Sequence, residues 1–109
     1  MSQNIRAFWE PLRTLAFGSI SGTYAALGTP LANPSRNLKI NNQTNVLLTF
    51  STDGTNDMFV VPASSAVIYD ISEMRVATGE DASIPANTQF YVKGAPGSGS
   101  VYLETLYLA

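Results

Sequence analysis

A strong β-hairpin signal in the middle of the chain constrains the fold more than any other feature. Two runs of β-branched and aromatic residues, 46–50 and 58–61, flank a polar segment centred on Asp53-Gly54. Gly54 can adopt the positive φ that a tight turn requires, and the short Asp53 side chain can bond to the local backbone. Pro62 ends the second run because proline has no N–H to give to a β-ladder. The stretch 46–70 therefore predicts the centre of a β-sheet.

Short runs of strand-forming residues recur along the rest of the chain between Gly, Pro and Asn. No segment keeps a 3.6-residue hydrophobic period over ten or more residues, so little helix is expected. Further strands are predicted at 14–21 with a bulge at Gly18, and at 24–27, 38–40, 66–69, 73–76, 90–92 and 100–108, with a turn at Asn41-Asn42-Gln43 and polar loops at 28–37 and 77–87. Apolar residues on both faces of 100–108 indicate a central strand or a covered edge. This pattern predicts an all-β, single-domain antiparallel β-sandwich of jelly-roll or Greek-key type, with a small closed barrel as the alternative.

The first thirteen residues differ in composition from the rest. They are polar apart from an isolated Phe8-Trp9 pair, and Pro11 disfavours a helical Glu10. We interpret 1–13 as an extended N-terminal arm and 14–109 as the sandwich domain. The arm is either a disordered terminus or a segment docked on its own domain or on a neighbour. Buried aromatic residues commonly anchor interfaces, so the sequence supports a docked arm and a disordered one equally.

Two sets of residues follow from this interpretation. Mid-strand positions predict an inward-facing core, which comprises Phe50, Val60, Ile68, Val92 and Leu103. The arm and the last strand predict an interaction surface, which comprises Phe8, Trp9, Leu12, Tyr102, Leu106 and Leu108.

The composition excludes several classes of function. Only 13% of the residues are charged and the net charge is −2, so the surface is neutral and hydrogen-bonding. The six Lys and Arg residues are scattered and form no basic stripe, which argues against nucleic-acid binding. Neither Cys nor His is present, which removes disulfides, thiolate metal sites and the commonest general base. No apolar run approaches the roughly 20 residues of a membrane span, and no secretory signal is recognised at the N-terminus.

A few side chains can be read as ligand sites. Asp53, Asn56 and Asp57 offer oxygens to Ca²⁺, but their spacing does not fit an EF-hand and favours a role in shaping the hairpin. The adjacent Glu80 and Asp81 suit a solvated loop better than a catalytic pair. The five tyrosines, Tyr24, Tyr69, Tyr91, Tyr102 and Tyr107, suit half-buried packing better than a sugar-binding face. The sequence therefore predicts neither a catalytic nor a metal nor a cofactor site.

A series of turn and strand-end motifs resembles small virion proteins of tailed bacteriophages. The likeness covers residues 18–108 and rests on Asn41-Asn42, Phe50-Ser51 with Asp53-Gly54 and Asp57, Phe59-Val60-Val61-Pro62-Ala63, Tyr69-Asp70, Phe90-Tyr91-Val92-Lys93-Gly94 and Gly99-Ser100-Val101-Tyr102-Leu103-Glu104. No catalytic motif accompanies it.

The resemblance implies a non-enzymatic structural protein of a virion, made in the host cytoplasm. The type it implies is a cement or decoration protein that self-associates and binds the major capsid protein. The alternatives are a component of the neck, tail or fibre, or a carbohydrate-binding module for host recognition.

Overall fold

A computed structural model describes residues 7–70, 83–95 and 97–108. Within these ranges the chain forms nine strands and one short 3-10 helix. The strands are β1 (Ala7–Trp9), β2 (Arg13–Ala16), β3 (Ala25–Ala26), β4 (Asn37–Thr44), β5 (Leu48–Ser51), β6 (Phe59–Val61), β7 (Ser65–Asp70), β8 (Tyr91–Gly94) and β9 (Gly99–Leu108), and the helix is Phe17–Ser19. The predicted strand at 73–76, most of the loop at 77–87, and Glu80 and Asp81 lie outside the described residues.

The strands form two antiparallel sheets packed as a β-sandwich. In the front sheet β1 and β2 both pair with one edge of β9, followed by β4 and β7. In the back sheet the order is β3, β8, β5 and β6. The chain passes repeatedly from one sheet to the other, and the resulting order of β2-β9-β4-β7 facing β3-β8-β5-β6 is that of a jelly roll. The predicted fold class is therefore confirmed, and two open sheets replace the alternative of a closed barrel.

The central hairpin is confirmed. β5 and β6 pair antiparallel, with Phe50 opposite Phe59 and the two rings stacked at 5.1 Å. Gly54 has φ of +75°, the left-handed conformation that the turn requires. Asp53 accepts hydrogen bonds from the Ser51 hydroxyl and from the backbone N–H of Asn56, so its carboxylate holds the turn together.

The core lies between the two sheets. Phe50, Val92 and Leu103 are fully buried as predicted, but Val60 is 50% exposed and Ile68 71% exposed, so those two predictions are wrong. In both strands the alternation of inward and outward side chains is shifted by one residue from the predicted one. The residues on either side of Val60 and of Ile68 therefore face the core. The fully buried hydrophobic residues of the core are Leu27, Leu31, Ile40, Leu48, Phe50, Val61, Val92, Val101 and Leu103.

Two local predictions near the sandwich edge are also wrong. Residues 14–21 do not form one bulged strand, because β2 ends at Ala16 and Gly18 lies in the 3-10 helix. The turn expected at Asn41-Asn42-Gln43 is instead the continuation of β4 up to Thr44.

The buried side chain of Asn42 explains why β4 continues through polar residues. Its amide donates to the carbonyl groups of Val46, Val61 and Pro62 at 3.0–3.1 Å. Its oxygen accepts from the backbone N–H of Thr44 at 2.9 Å. Because every polar atom is paired, the side chain can lie inside the sandwich and hold the start of the hairpin against β4.

Candidate interaction surface

Strand β9 organises the surface on which most of the predicted interface residues lie. It pairs with β1 and β2 along one edge and with β4 along the other, so it is a central strand of the front sheet. Val101, Leu103 and Thr105 alternate along it as buried residues. Glu104 and Leu106 therefore point to the opposite, solvent side of the sheet.

The solvent side of the front sheet, which we call the outer face, carries large apolar residues. Trp9 lies directly opposite Leu106 on the β1–β9 ladder and is 64% exposed. Ile68 lies on β7 at the other side of the sheet and is 71% exposed. Trp9 and Ile68 are two of the seven large apolar side chains that are exposed among the described residues.

A shallow groove of about 150 Å³ runs across the outer face. Trp9 and Ile68 line its two sides, and its floor includes Leu106, Glu104 and Lys39. Glu104 and Lys39 are direct partners on the β9–β4 ladder, and Ile68 is the partner of Lys39 on the β4–β7 ladder. The groove therefore combines one acidic and one basic side chain with apolar walls.

The structure brings together part of the predicted interface. Trp9, Leu106 and the half-buried Tyr102 share the outer face. Phe8 points to the other side of β1, where its ring stacks on Tyr107 at 5.6 Å. Leu12, which is 57% exposed, lies in the link between β1 and β2. The backbone of Leu108 pairs with Ala7, but its side chain lies outside the described residues. The interface set remains a prediction.

A buried ion pair fixes the arm to the sandwich, and sequence reasoning missed it. Glu10 and Arg13 form a salt bridge of 2.7 Å, and their side chains are 3% and 6% exposed. The sequence signal for this ion pair is that Glu10 and Arg13 have opposite charges, are three residues apart and are separated by two apolar residues. Both charges were assigned to a polar arm, because buried charges are rare in general.

The Glu10–Arg13 pair also binds the loop between β3 and β4. Glu10 accepts from the backbone N–H of Asn33 at 2.8 Å, and Arg13 donates to the carbonyl groups of Thr29 and Pro30 at 2.7 and 3.0 Å. Burial by itself would raise the pKa of Glu10. The hydrogen bonds from Arg13, from Asn33 and from the loop backbone outweigh it and lower that pKa below its ordinary value of 4.5. We call this arrangement the Glu10–Arg13 clasp.

The acidic side chains of the central hairpin have structural partners. Asp57 accepts a hydrogen bond from the Tyr24 hydroxyl at 2.6 Å and forms a salt bridge with Lys93 at 2.9 Å. Lys93 also lies over the Tyr24 ring, 4.6 Å from its centroid. The bond from Tyr24, the bond from Lys93 and the Lys93 charge lower the pKa of Asp57, against a smaller opposing effect of desolvation. Asp57 therefore stabilises the packing of the hairpin loop on the back sheet.

The other candidate ligand sites among the described residues are mostly apolar or already occupied by internal contacts. A cavity of about 380 Å³ opens between the sheets, and its described lining carries no charged side chain; it comprises Leu38, Thr52, Phe59, Tyr69, Ile84, Pro85, Thr88 and Phe90. Tyr69 packs edge-on against Phe59, and Gly54 lies over the ring of Tyr91. These contacts leave few of the described tyrosines free to stack on a sugar.

The described residues contain neither a metal-binding group nor a membrane-spanning helix. Within residues 7–70, 83–95 and 97–108, no group of three or more acidic side chains is arranged to hold a metal ion. In the same part of the chain, no helix is both long enough and apolar enough to cross a membrane. Neither the known protein families nor the curated proteins contain a match to this chain.

Proposed function

We propose that the protein is a non-enzymatic structural component of a bacteriophage virion, of the cement or decoration type that binds the major capsid protein. One observation carries the proposal: Trp9 is 64% exposed, although it lies on a strand that is paired with β9. A large aromatic side chain held in solvent by a rigid element suits an anchor that a partner buries.

The Glu10–Arg13 clasp supports the same function. Because Glu10 and Arg13 join the strand after Trp9 to the β3–β4 loop, the anchor is oriented before any partner binds. Pre-organisation reduces the conformational entropy that is lost on association. The low density of charge is also suited to a protein that lies against other proteins in a shell.

Two measurements test the proposal. Mass spectrometry of purified particles from the source phage should detect the protein, and cryo-electron microscopy should locate it on the capsid exterior. Absence from the particles would refute the proposal. Density for the protein in the neck, tail or fibre would support a structural role in the virion but would contradict the assignment as a cement protein.

A binding experiment tests the anchor itself. Trp9→Ala is expected to weaken binding to particles that lack the protein by about 30-fold, since truncating a buried aromatic anchor costs about 2 kcal/mol or more. Val60→Ala is the matched control, because Val60 is a comparably exposed apolar residue on the back sheet. Equal binding by Trp9→Ala and Val60→Ala would show that Trp9 is not the anchor. Binding of the intact protein to a glycan array but to no particle would favour the carbohydrate-binding module instead.

A further inference from the structure

We propose that the outer face of the front sheet is a two-fold interface with a second copy of this chain. The inference rests on the proposed function in taking the outer face as an assembly surface, and it assigns the contact that buries Trp9 to a second copy within the shell rather than to the capsid protein itself. It follows from the order in which charged and apolar side chains occur across the four strands.

The outer face carries a pair of opposite charges in the middle, Trp9 and Leu106 on one side, and Ile68 together with the exposed Asp70 on the other. From one side of the sheet to the other the strands are β1, β9, β4 and β7. They present in turn Trp9 beside Leu106, then Glu104, then Lys39, then Ile68. Glu104, Lys39 and Ile68 share one row of the ladder. The next row is formed by Trp9, Leu106, Asn37 and Asp70.

A two-fold axis makes this arrangement complementary to itself. If the axis runs parallel to the strands, midway between β9 and β4 and in the plane of the interface, it places β9 of one copy over β4 of the other. Glu104 then meets Lys39 of the second copy, and Lys39 meets its Glu104. The same axis places β1 over β7, so Trp9 lies over the row that carries Asp70, one row away from Ile68. The two charges Glu104 and Lys39 are thus matched reciprocally across the axis, as an isologous interface requires, and Trp9 is covered by β7 of the second copy.

The size of the outer face determines how tight such a dimer is. Four strands spaced about 4.8 Å apart and a β4 strand about 27 Å long give a footprint of about 500 Å² on each copy. The total of about 1,000 Å² lies near the lower limit of specific interfaces. We therefore expect a dimer with a dissociation constant in the micromolar range, which many neighbouring copies on a shell would reinforce.

A charge-swap experiment tests the two-fold arrangement. Sedimentation velocity of the full chain, over a concentration series up to about 200 µM, should show a shift from 11.7 kDa to twice that mass. Lys39→Glu gives a copy with two acids in the row, and Glu104→Lys gives one with two bases. Each variant alone should stay monomeric, because both contacts across the axis become repulsive. An equimolar mixture of the two should dimerise again, because each acid then faces a base.

The equimolar mixture of the two variants separates the effect of contacts between two copies from the effect of contacts within a single copy. Glu104 and Lys39 are also neighbours in the same sheet, and the like-charged pair within each variant persists in the mixture. Recovery of the dimer can therefore come only from pairing between copies. Far-ultraviolet circular dichroism should show that both variants are folded.

An apolar variant provides a second readout. Ile68→Ser is expected to weaken dimerisation at least tenfold, while Val60→Ser on the back sheet leaves it unchanged. A wild-type chain that is monomeric throughout the series, a mixture that stays monomeric, or equal effects of the two Ser variants would each overturn the inference. If the chain forms this dimer but is absent from phage particles, the proposed function is refuted and the dimer interface is not.

Discussion

Replacing Glu10 by Ala is expected to lower the free energy of unfolding by about 3 to 5 kcal/mol, the usual cost of removing one partner of a buried ion pair. The Glu10 side chain is only 3% exposed, so the charge of Arg13 would be left beside neutral groups, namely two carbonyl groups and the Thr105 hydroxyl. The backbone N–H groups of Ala32 and Asn33 would also lose their acceptor, and each unpaired group costs about 1 to 3 kcal/mol. Water entering beside the exposed Leu12 would offset part of this loss, which keeps the expected total within the stated range.

Urea denaturation followed by circular dichroism measures this loss, and Glu10→Gln separates the charge of the side chain from its shape. Because the pKa of Glu10 is lowered in the folded protein, its carboxylate stabilises the fold above its ordinary pKa of 4.5. That stabilisation is lost as the pH falls through the folded value. The difference in stability between the wild type and Glu10→Gln should therefore be largest near about pH 7 and shrink towards about pH 3. A difference that does not change with pH, or a loss below about 1 kcal/mol for Glu10→Ala, would refute the buried clasp.

Three further changes test the interior and the hairpin. Asn42→Ala is expected to cost about 3 kcal/mol or more, since it removes a buried amide that pairs with three carbonyl groups, while Gln43→Ala should stay within about 0.5 kcal/mol in the same urea assay. Phe50→Ala should cost about 3 to 5 kcal/mol and Val60→Ala under about 1, and equal costs would mean that the facing of the β5–β6 hairpin is wrong. A chelator should leave the thermal midpoint unchanged, because hydrogen bonds within the turn already engage Asp53; a fall that Ca²⁺ reverses would place a metal there.

The fold class was predictable because the strongest local signals agree with the tertiary structure. Asp53-Gly54 can form only a few tight turns, and the flanking runs suit paired strands, so the hairpin followed directly. The apolar residues on both faces of 100–108 likewise indicated either a central strand or a covered edge, and β9 is a central strand. The prediction of which side chains face the core failed where apolar and polar residues do not alternate along a strand. Val60 and Ile68 lie in strands with apolar residues at adjacent positions, and a shift of one residue reverses the face.

The Glu10–Arg13 clasp and the buried Asn42 could not be predicted from the sequence for a different reason. Each is a polar group that lies in the interior only because its partners come from distant parts of the chain. Asn42 depends on carbonyl groups around Pro62, and Glu10 depends on the backbone around Asn33. Local propensity assigns such residues to turns or to the surface, since it contains no information about those partners. The outer face could be predicted only in part for the same reason: Trp9 stood out in the sequence, but the strand pairing that places Ile68 on the same face as Trp9 did not.

The position of β9 at the centre of the front sheet has a consequence for how the chain is made. On the ribosome β9 is the last strand of the domain to emerge, yet β1, β2 and β4 all depend on it for pairing. Until it arrives, the first two strands have no ladder to join, and β4 lacks one of its neighbours. Pairing between the two ends of a domain also raises the contact order, which slows folding. The back-sheet hairpin can form early, whereas the front sheet closes only after synthesis has passed Leu108, and until then its unpaired edges are open to association with other nascent chains.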